Sequence, residues 1–422
     1  MRRSFVVRRS RASVGERRLP GDGPWGGFAF SLILTAYALY YITVARLDPL
    51  QLVLVGTALE ASYFICEIPT GVLADTFSRR FSVIVGTLIT GAAWVGQGLV
   101  PVFVAIAAFE VLRGVGEAFI HGATEAWIAG EVGDDAIGPL FLRETQIAQA
   151  ASFIALPVGV GLGLVDLRIP VVLGGGLTVA LALALILLMP ERRHPRAAAA
   201  TTWRDTVGTA NRALLSIRTS AMLAALLGAE LFWGAASEGY DRLWEIHLLQ
   251  DLGFPPLGVP AIVGFGVLSL VGTLIVIASA QVARRVVRDA SDRAVSRALV
   301  AVQVVRVAAR ATFALAPSVV IALVPFFAES MVRAVFAPLF NAWLIRGTRE
   351  DVRATVLSAT SVANALGQVG GGPVSGAIGR AYGVPFGLLS SAALLAPAVA
   401  FFARAVQRRS VTNSPRAPAA LI

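Results

Sequence analysis

The chain has 422 residues, of which 56% are hydrophobic, and a mean hydropathy of +0.73, more apolar than a soluble core requires; a soluble globular class is excluded. All 36 basic residues are arginine, set against 26 acidic ones, which gives a formal net charge of +10. Without lysine the chain has neither the phosphate-gripping amine of a P-loop nor the amine of a Schiff base.

An Arg-rich tail, 1–24, comes first and contains no apolar run before Trp25, so the first span reads as an uncleaved helix. A membrane-crossing helix needs roughly 20 mainly apolar residues. Twelve such spans are predicted: Trp25 to Arg46, Pro49 to Leu73, Phe81 to Val100, Pro101 to Ala129, Arg143 to Val165, Ile169 to Met189, Ser220 to Trp244, Val259 to Val282, Ala298 to Ala316, Ser318 to Ile345, Ala354 to Ile378 and Val384 to Ala403. A charged linker, 191–219, divides them into an N-terminal bundle, 25–190, and a C-terminal bundle, 220–404, with a tail at 405–422. Six spans on each side of a long linker is the plan of a duplicated secondary transporter.

Arginine placement sets the expected topology. With the N-terminus cytoplasmic, 28 arginines fall on the cytoplasmic side and only Arg46, Arg168 and Arg380 on the other. That asymmetry follows the positive-inside rule and places both termini in the cytoplasm. The excess charge is then topological, and nucleic acid is not an expected partner. Cys66 lies alone in the second span, so neither a disulfide framework nor a cysteine metal site is available. The three histidines are far apart, and no Gly-x-Ser-x-Gly elbow occurs. An enzyme, a cofactor and a metal are therefore not expected.

Between the second and third spans, Gly71-Val72-Leu73-Ala74-Asp75-Thr76-Phe77-Ser78-Arg79-Arg80 opens as Gly-x-Leu-x-Asp and closes as Arg-Arg. It resembles the signature loop of the major facilitator superfamily. It departs from that pattern at Thr76, where a basic residue is common, and at Ser78, where glycine is common. In the fourth span Leu112-Arg113-Gly114-Val115-Gly116 resembles the family's helix-4 signature, in which the Arg lies near the proton-coupling site. The resemblance implies an all-α membrane fold of twelve helices in two pseudo-symmetric six-helix bundles, with helices 1, 4, 7 and 10 lining a cavity. It also implies a gate formed by Gly71, Asp75, Arg79 and Arg80, with Asp75 pairing with an Arg or with the helix end near Arg353. Within the family the chain resembles the twelve-helix drug and proton antiporter branch, with Leu156-Pro157-Val158-Gly159-Val160-Gly161 a loose match to the helix-5 signature of the family's exporters.

Ionisable groups inside a bilayer are costly and tend to mark function. In the fourth span Glu110, Arg113, Glu117, His121 and Glu125 recur every three or four residues, which predicts one polar stripe. Arg113 can hold Glu110 or Glu117 ionised; either pair reads as a proton carrier or as a permanent salt bridge. His121 gives Glu117 a second titratable neighbour. The seventh span carries Glu230, Ser237, Glu238, Asp241 and Glu245 together with Trp233, and the tenth carries Glu329 and Arg333. Glu230 is a second candidate carrier. Tyr37, Tyr40 and Tyr41 of the first span suit either a substrate or ordinary packing. Arg306 and Arg310 fit poorly in a peripheral ninth span; they read as snorkelling arginines or as the sign of a ninth span that starts too early.

An internal repeat appears at an offset of 216: Glu125-Ala126-Trp127-Ile128 meets Asn341-Ala342-Trp343-Leu344, Arg113 meets Glu329, and Glu117 meets Arg333. The expected protein is a monomer that moves a small organic molecule through the cytoplasmic membrane by alternating access, driven by protons and favouring export of a drug-like or secondary-metabolite compound. A proton-coupled importer is the rival within this class. A non-transporting sensor or an intramembrane enzyme is the rival outside it. The expected proton-coupling set is Glu117, Arg113, Glu110, His121 and Glu230. The expected substrate set is Tyr37, Tyr40, Tyr41, Glu125, Trp233, Ser237, Glu329 and Arg333.

Overall fold

The structure, a computed structural model, describes residues 24–132, 134–189, 221–289, 291–347 and 350–412. Among these residues it is all helical. In chain order the helices are α1 (Pro24–Leu39), continued by a π turn at Tyr40–Val44, then α2 (Pro49–Thr76), α3 (Arg79–Leu99), α4 (Phe103–Ile120), α5 (Ala123–Val132), α6 (Asp134–Gly163) and α7 (Arg168–Leu188). They continue as α8 (Ala221–Ile246), followed by a π turn at His247–Asp251, α9 (Ala261–Asp289), α10 (Asp292–Ala314), α11 (Val319–Gly347), α12 (Glu350–Tyr382) and α13 (Val384–Thr412). The fourth span is divided into α4 and α5; the other spans correspond one to one. The linker 191–219 and most of both tails lie outside the described residues.

Helix ends follow local chemistry. α2 starts at a reciprocal capping box: the Asp48 carboxylate accepts from the Gln51 amide at 2.9 Å, the Gln51 side chain accepts from the Asp48 amide at 3.0 Å, and Pro49 takes the first turn. Ser78 caps α3 by accepting from the Phe81 amide at 3.0 Å. The break between α4 and α5 falls at His121-Gly122, where Gly122 has φ +73, a left-handed conformation that favours glycine.

Among the described residues eight helices are long and apolar enough to cross a membrane by themselves. The remaining four spans are the fourth, seventh, ninth and eleventh, which are the ones carrying Glu110 and Arg113, Glu230, Arg306 and Arg310, and Asn364. Of the charged groups they carry, Glu110, Arg306 and Arg310 are completely buried and so face protein.

The chain resolves into two compact units, one within Met1–Thr206 and Pro255–Leu270, the other within Val207–Phe254 and Val271–Ile422. In the first unit α1 packs on α6 and α7, α3 on α4 and α7, and α2 on α4. Small residues permit this closeness: a Cβ on Gly86 of α3 would lie 2.5 Å from the Gly116 carbonyl oxygen of α4. The start of α9 belongs here, with Gly266 against Val160 of α6. In the second unit α8 packs on α12 and α13, and α10 on α11 and α13. Gly234 of α8 and Gly367 of α12 each abut the other helix's backbone, at the Asn364 and Leu231 carbonyls respectively. Trp127 and Trp343, one repeat apart, are buried in the apolar cores of their own units.

Candidate functional site

The first polar cluster is built on α4. Glu110 and Arg113 lie one turn apart, as do Arg113 and Glu117, so the helical repeat turns all three to one side. Glu110 Oε2 accepts from Arg113 Nη2 at 2.6 Å and from Nε at 2.9 Å, while Arg113 Nη1 donates to Glu117 Oε1 at 2.5 Å. The Arg113 guanidinium lies 4.7 Å from the Trp94 ring centroid. The π turn at the end of α1 aims two tyrosines inward: Tyr40 donates to the Gln97 carbonyl at 2.6 Å, and Tyr41 lies 2.5 Å from Gln97 Oε1 and 3.1 Å from Glu110 Oε1. Tyr37 stands edge-on to Tyr41 at 5.6 Å and to Trp94 at 6.0 Å.

The two carboxylates of this cluster are unequal. Glu110 is 0% exposed and has both oxygens engaged, whereas the Glu117 side chain is 36% exposed. Glu117 also lines a cavity of about 400 Å³ with Leu59, Glu60, Tyr63, Ile120 and His121. Arg113 with two ionised glutamates carries a net charge of −1. Glu110 is thus fixed and Glu117 is the accessible member, a distinction that in the sequence rests only on His121 as a second neighbour of Glu117.

The expected five-residue stripe runs only as far as His121, which lines the cavity beside Glu117, and does not reach Glu125. Because α4 ends at His121, that residue turns out to 64% side-chain exposure, 3.7 Å from Glu67 Oε1 and edge-on to Tyr63. Glu125 begins α5 beyond the turn at Gly122 and is exposed, away from the Arg113 cluster. In the signature loop Asp75 pairs with Arg79 at 3.3 Å, Arg79 donates to the Ala126 carbonyl at 2.9 Å, and Arg80 donates to the Ile186 carbonyl. Gly71 lies within α2 with open space where a Cβ would stand. The side chain of Arg353 lies outside the described residues.

A second cluster occupies the second unit, centred on Glu329 of α11. Its Oε1 accepts from Arg306 Nη2 at 3.0 Å, and from Arg310 Nη2 at 2.9 Å and Nε at 3.0 Å. Arg310 also donates to the Ala236 carbonyl at 2.8 Å and to Ser391 Oγ at 3.2 Å. Arg306 lies 5.0 Å from the Trp233 centroid and Arg310 4.5 Å from that of Tyr240. Both arginines are 0% exposed. The expectation that they snorkel is therefore wrong. The alternative, a ninth span that starts too early, is wrong as well: α10 begins at Asp292, earlier still, and the arginines lie in its second half against Glu329.

The remaining expected residues separate. Glu230 is 5% exposed, with Oε2 3.4 Å from Asn364 Nδ2. Ser237 donates to its own helix at the Gly234 carbonyl, 2.9 Å away. Arg333 grips Asp241 with two bonds of 2.5 and 2.9 Å, and Arg242 pairs with Glu238 at 2.8 Å. Sequence reasoning missed Trp94, Gln97, Asn364 and Ser391; the available signal was a buried amide or a ring at cluster height in otherwise apolar helices. Among the described residues no group of three or more His, Cys, Asp or Glu is placed to hold a metal ion.

Arg113 and Glu329 occupy matching repeat positions, and each is the single charge held between two of opposite sign. The second triad carries +1 where the first carries −1.

Similar proteins bear on this arrangement. A curated relative, an uncharacterized MFS-type transporter YxaM of Bacillus subtilis (strain 168), is 25% identical over 121 residues, covering 29% of this chain and 30% of that protein. Among solved structures, the nucleoside transporter NupG superposes with a TM-score of 0.67 at 14% identity, covering 97% of this chain and 100% of that one. A bacterial homolog of the human lysosomal transporter Spinster gives 0.68 at 16%, covering 98% and 100%. A D-xylose-proton symporter gives 0.66 at 14%, covering 94% and 97%. These likenesses establish the twelve-helix, two-bundle fold. A family model for the Major Facilitator Superfamily matches residues 26–367, and with that match across most of its length the chain belongs to this superfamily of membrane transporters.

Proposed function

We propose that the chain is a proton-coupled exporter of small organic molecules, with Glu117 as the group that gains and loses the proton. The observation that carries this reading is the asymmetry around Arg113: one carboxylate is buried and locked, while the other shares the same guanidinium and opens onto a 400 Å³ cavity. A carboxylate that exchanges an arginine for a proton as its surroundings change is the minimal element of proton coupling. The cavity's Glu60, Glu117 and Tyr63 suit an amphipathic or cationic compound, and the resemblance to the drug and proton antiporter branch favours export. Both termini are placed in the cytoplasm, and the protein acts as a monomer in the cytoplasmic membrane.

The test uses inverted vesicles from a strain stripped of its own pumps, challenged with a panel of fluorescent organic amines. Vesicles with an acidic interior are expected to accumulate at least one of them, and Glu117→Gln is expected to abolish this while expression and folding persist. Unimpaired proton-driven accumulation by that variant would sink the assignment of Glu117. Proton-driven movement out of the vesicles would reverse the direction.

A further inference from the structure

The second unit holds a buried carboxyl that the Glu117 reading does not use. We infer that Glu230 is a second proton-exchanging group, charge-balanced by Arg306, Arg310 and Glu329 and independent of Glu117. The inference deepens the proton-coupled reading by giving each unit its own titrating carboxyl.

The geometry has three parts. First, Glu230 is 5% exposed and its Oε1 has no hydrogen-bond partner among the described residues. Its other oxygen meets only a long contact, 3.4 Å, from Asn364 Nδ2. The Asn364 amide is oriented by Gln368, which donates to Asn364 Oδ1 at 2.8 Å and leaves Nδ2 to face Glu230. A permanently ionised buried carboxylate normally collects several short donors; this one has a single weak one. An oxygen with no donor is where a proton can reside.

Second, the charge count needs Glu230. Two buried guanidinium groups on one carboxylate leave +1 in a site that water does not reach. Trp233, one turn along α8 from Glu230, carries Arg306 against its ring, which brings that guanidinium to the Glu230 end of the helix turn. With Glu230 ionised the four groups sum to zero; with Glu230 protonated they sum to +1. The step is a plain proton transfer, in which Oε1 of the carboxylate gains H⁺ to become the neutral acid and the cluster's net charge rises by one. The charged and polar groups on α8 and the surrounding helices are Glu238, Asp241 and Arg242 of α8, Gln303, Arg306 and Arg310 of α10, Glu329 and Arg333 of α11, neutral Asn364 and Gln368 of α12, and Ser391 of α13; Asp241 offsets Arg333 and Glu238 offsets Arg242, so neither pair changes the sum. Arg404 of α13 lies against Phe401.

Third, the donor comes from a neighbouring helix. Asn364 is held to α8 by the Gly234 and Gly367 contacts, so any sliding of α12 along α8 alters the one hydrogen bond that Glu230 receives. Helix motion and protonation are thereby linked.

Infrared difference spectroscopy of the full chain in lipid, titrated over pH, reads protonated carboxyls through their carbonyl stretch. Among the titrating carboxyl bands of the wild type, Glu230→Gln is expected to remove one and Glu117→Gln another. A spectrum unchanged by Glu230→Gln overturns the inference. Should that variant not fold, Glu230→Asp is expected to shift the frequency of the same band, and an unmoved band overturns it equally. Arg306→Gln tests the charge count: the Glu230 band is expected to persist to a pH higher by about one to three units, and an unmoved titration overturns the balancing role. A Glu230 band present with no Glu117 band would reject the earlier assignment and leave this one standing.

Discussion

Glu110 and Glu117 share one arginine yet have opposite duties, and substitution should tell them apart. Glu110 is fully buried, with Arg113 on one oxygen and Tyr41 near the other. Glu110→Gln removes a buried charge partner and is expected to cost about 3–5 kcal/mol, seen as lost monodisperse protein or a large fall in melting temperature in detergent. Glu117→Gln, partly exposed, should melt close to the wild type. Equal losses in the two variants would contradict the asymmetry. Arg310 makes a related test, because its fork meets Glu329, Ala236 and Ser391 together. A lysine keeps the charge but has no fork, so Arg310→Lys should cost about 1–3 kcal/mol in thermal stability. The two clusters differ in legibility for a plain reason. Glu110, Arg113 and Glu117 sit three and four residues apart on one helix, and helical periodicity alone assembles them. Glu329 meets Arg306 and Arg310 from another helix, across sequence separations of 23 and 19 residues, and no local spacing announces such a pair.

At the level of elements, the helices were visible as apolar runs, but what joins them was not. Gly122 looks like any small residue in a membrane span, and its left-handed φ ends α4 and removes Glu125 from the expected stripe. Periodicity assumes an unbroken helix, which is why that stripe was over-extended. The glycine-rich stretch of α12 likewise reads as uniform, yet its members differ. A Cβ on Gly367 would strike the Leu231 backbone of α8, whereas one on Gly370 would meet nothing within 4 Å. Gly367→Ala is therefore expected to cost about 1–3 kcal/mol through forced separation of α8 and α12. Gly370→Ala should be neutral, or stabilising by about 0.4–1 kcal/mol through lost backbone freedom. Melting curves of the two variants check this, and similar losses in both would remove the seam from the account of how Asn364 is placed against Glu230.

For the whole molecule, the repeat is clearest in Trp127 and Trp343, core residues of their own units, and looser in the charges: Glu329 matches Arg113 in position but draws its partners from α10, and Arg333, the counterpart of Glu117, pairs with Asp241. The topology that the repeat must satisfy is open to direct measurement, because Cys66 is the only cysteine and can be removed. Moving an Arg-rich segment across a bilayer opposes the bias that sets orientation, so 28 arginines against three should decide it. In a Cys66→Ala background, a cysteine at Leu257, which is 98% exposed between α8 and α9, is expected to react with an impermeant maleimide added to intact cells. A cysteine at Ser4, within the Arg-rich tail, should react only after the membrane is opened. Reaction at Ser4 in intact cells would invert the chain, place the Gly71 to Arg80 loop on the outer face, and reverse the side from which Glu117 must take its proton. The labelling pattern therefore fixes the direction of the proton path before any substrate is known.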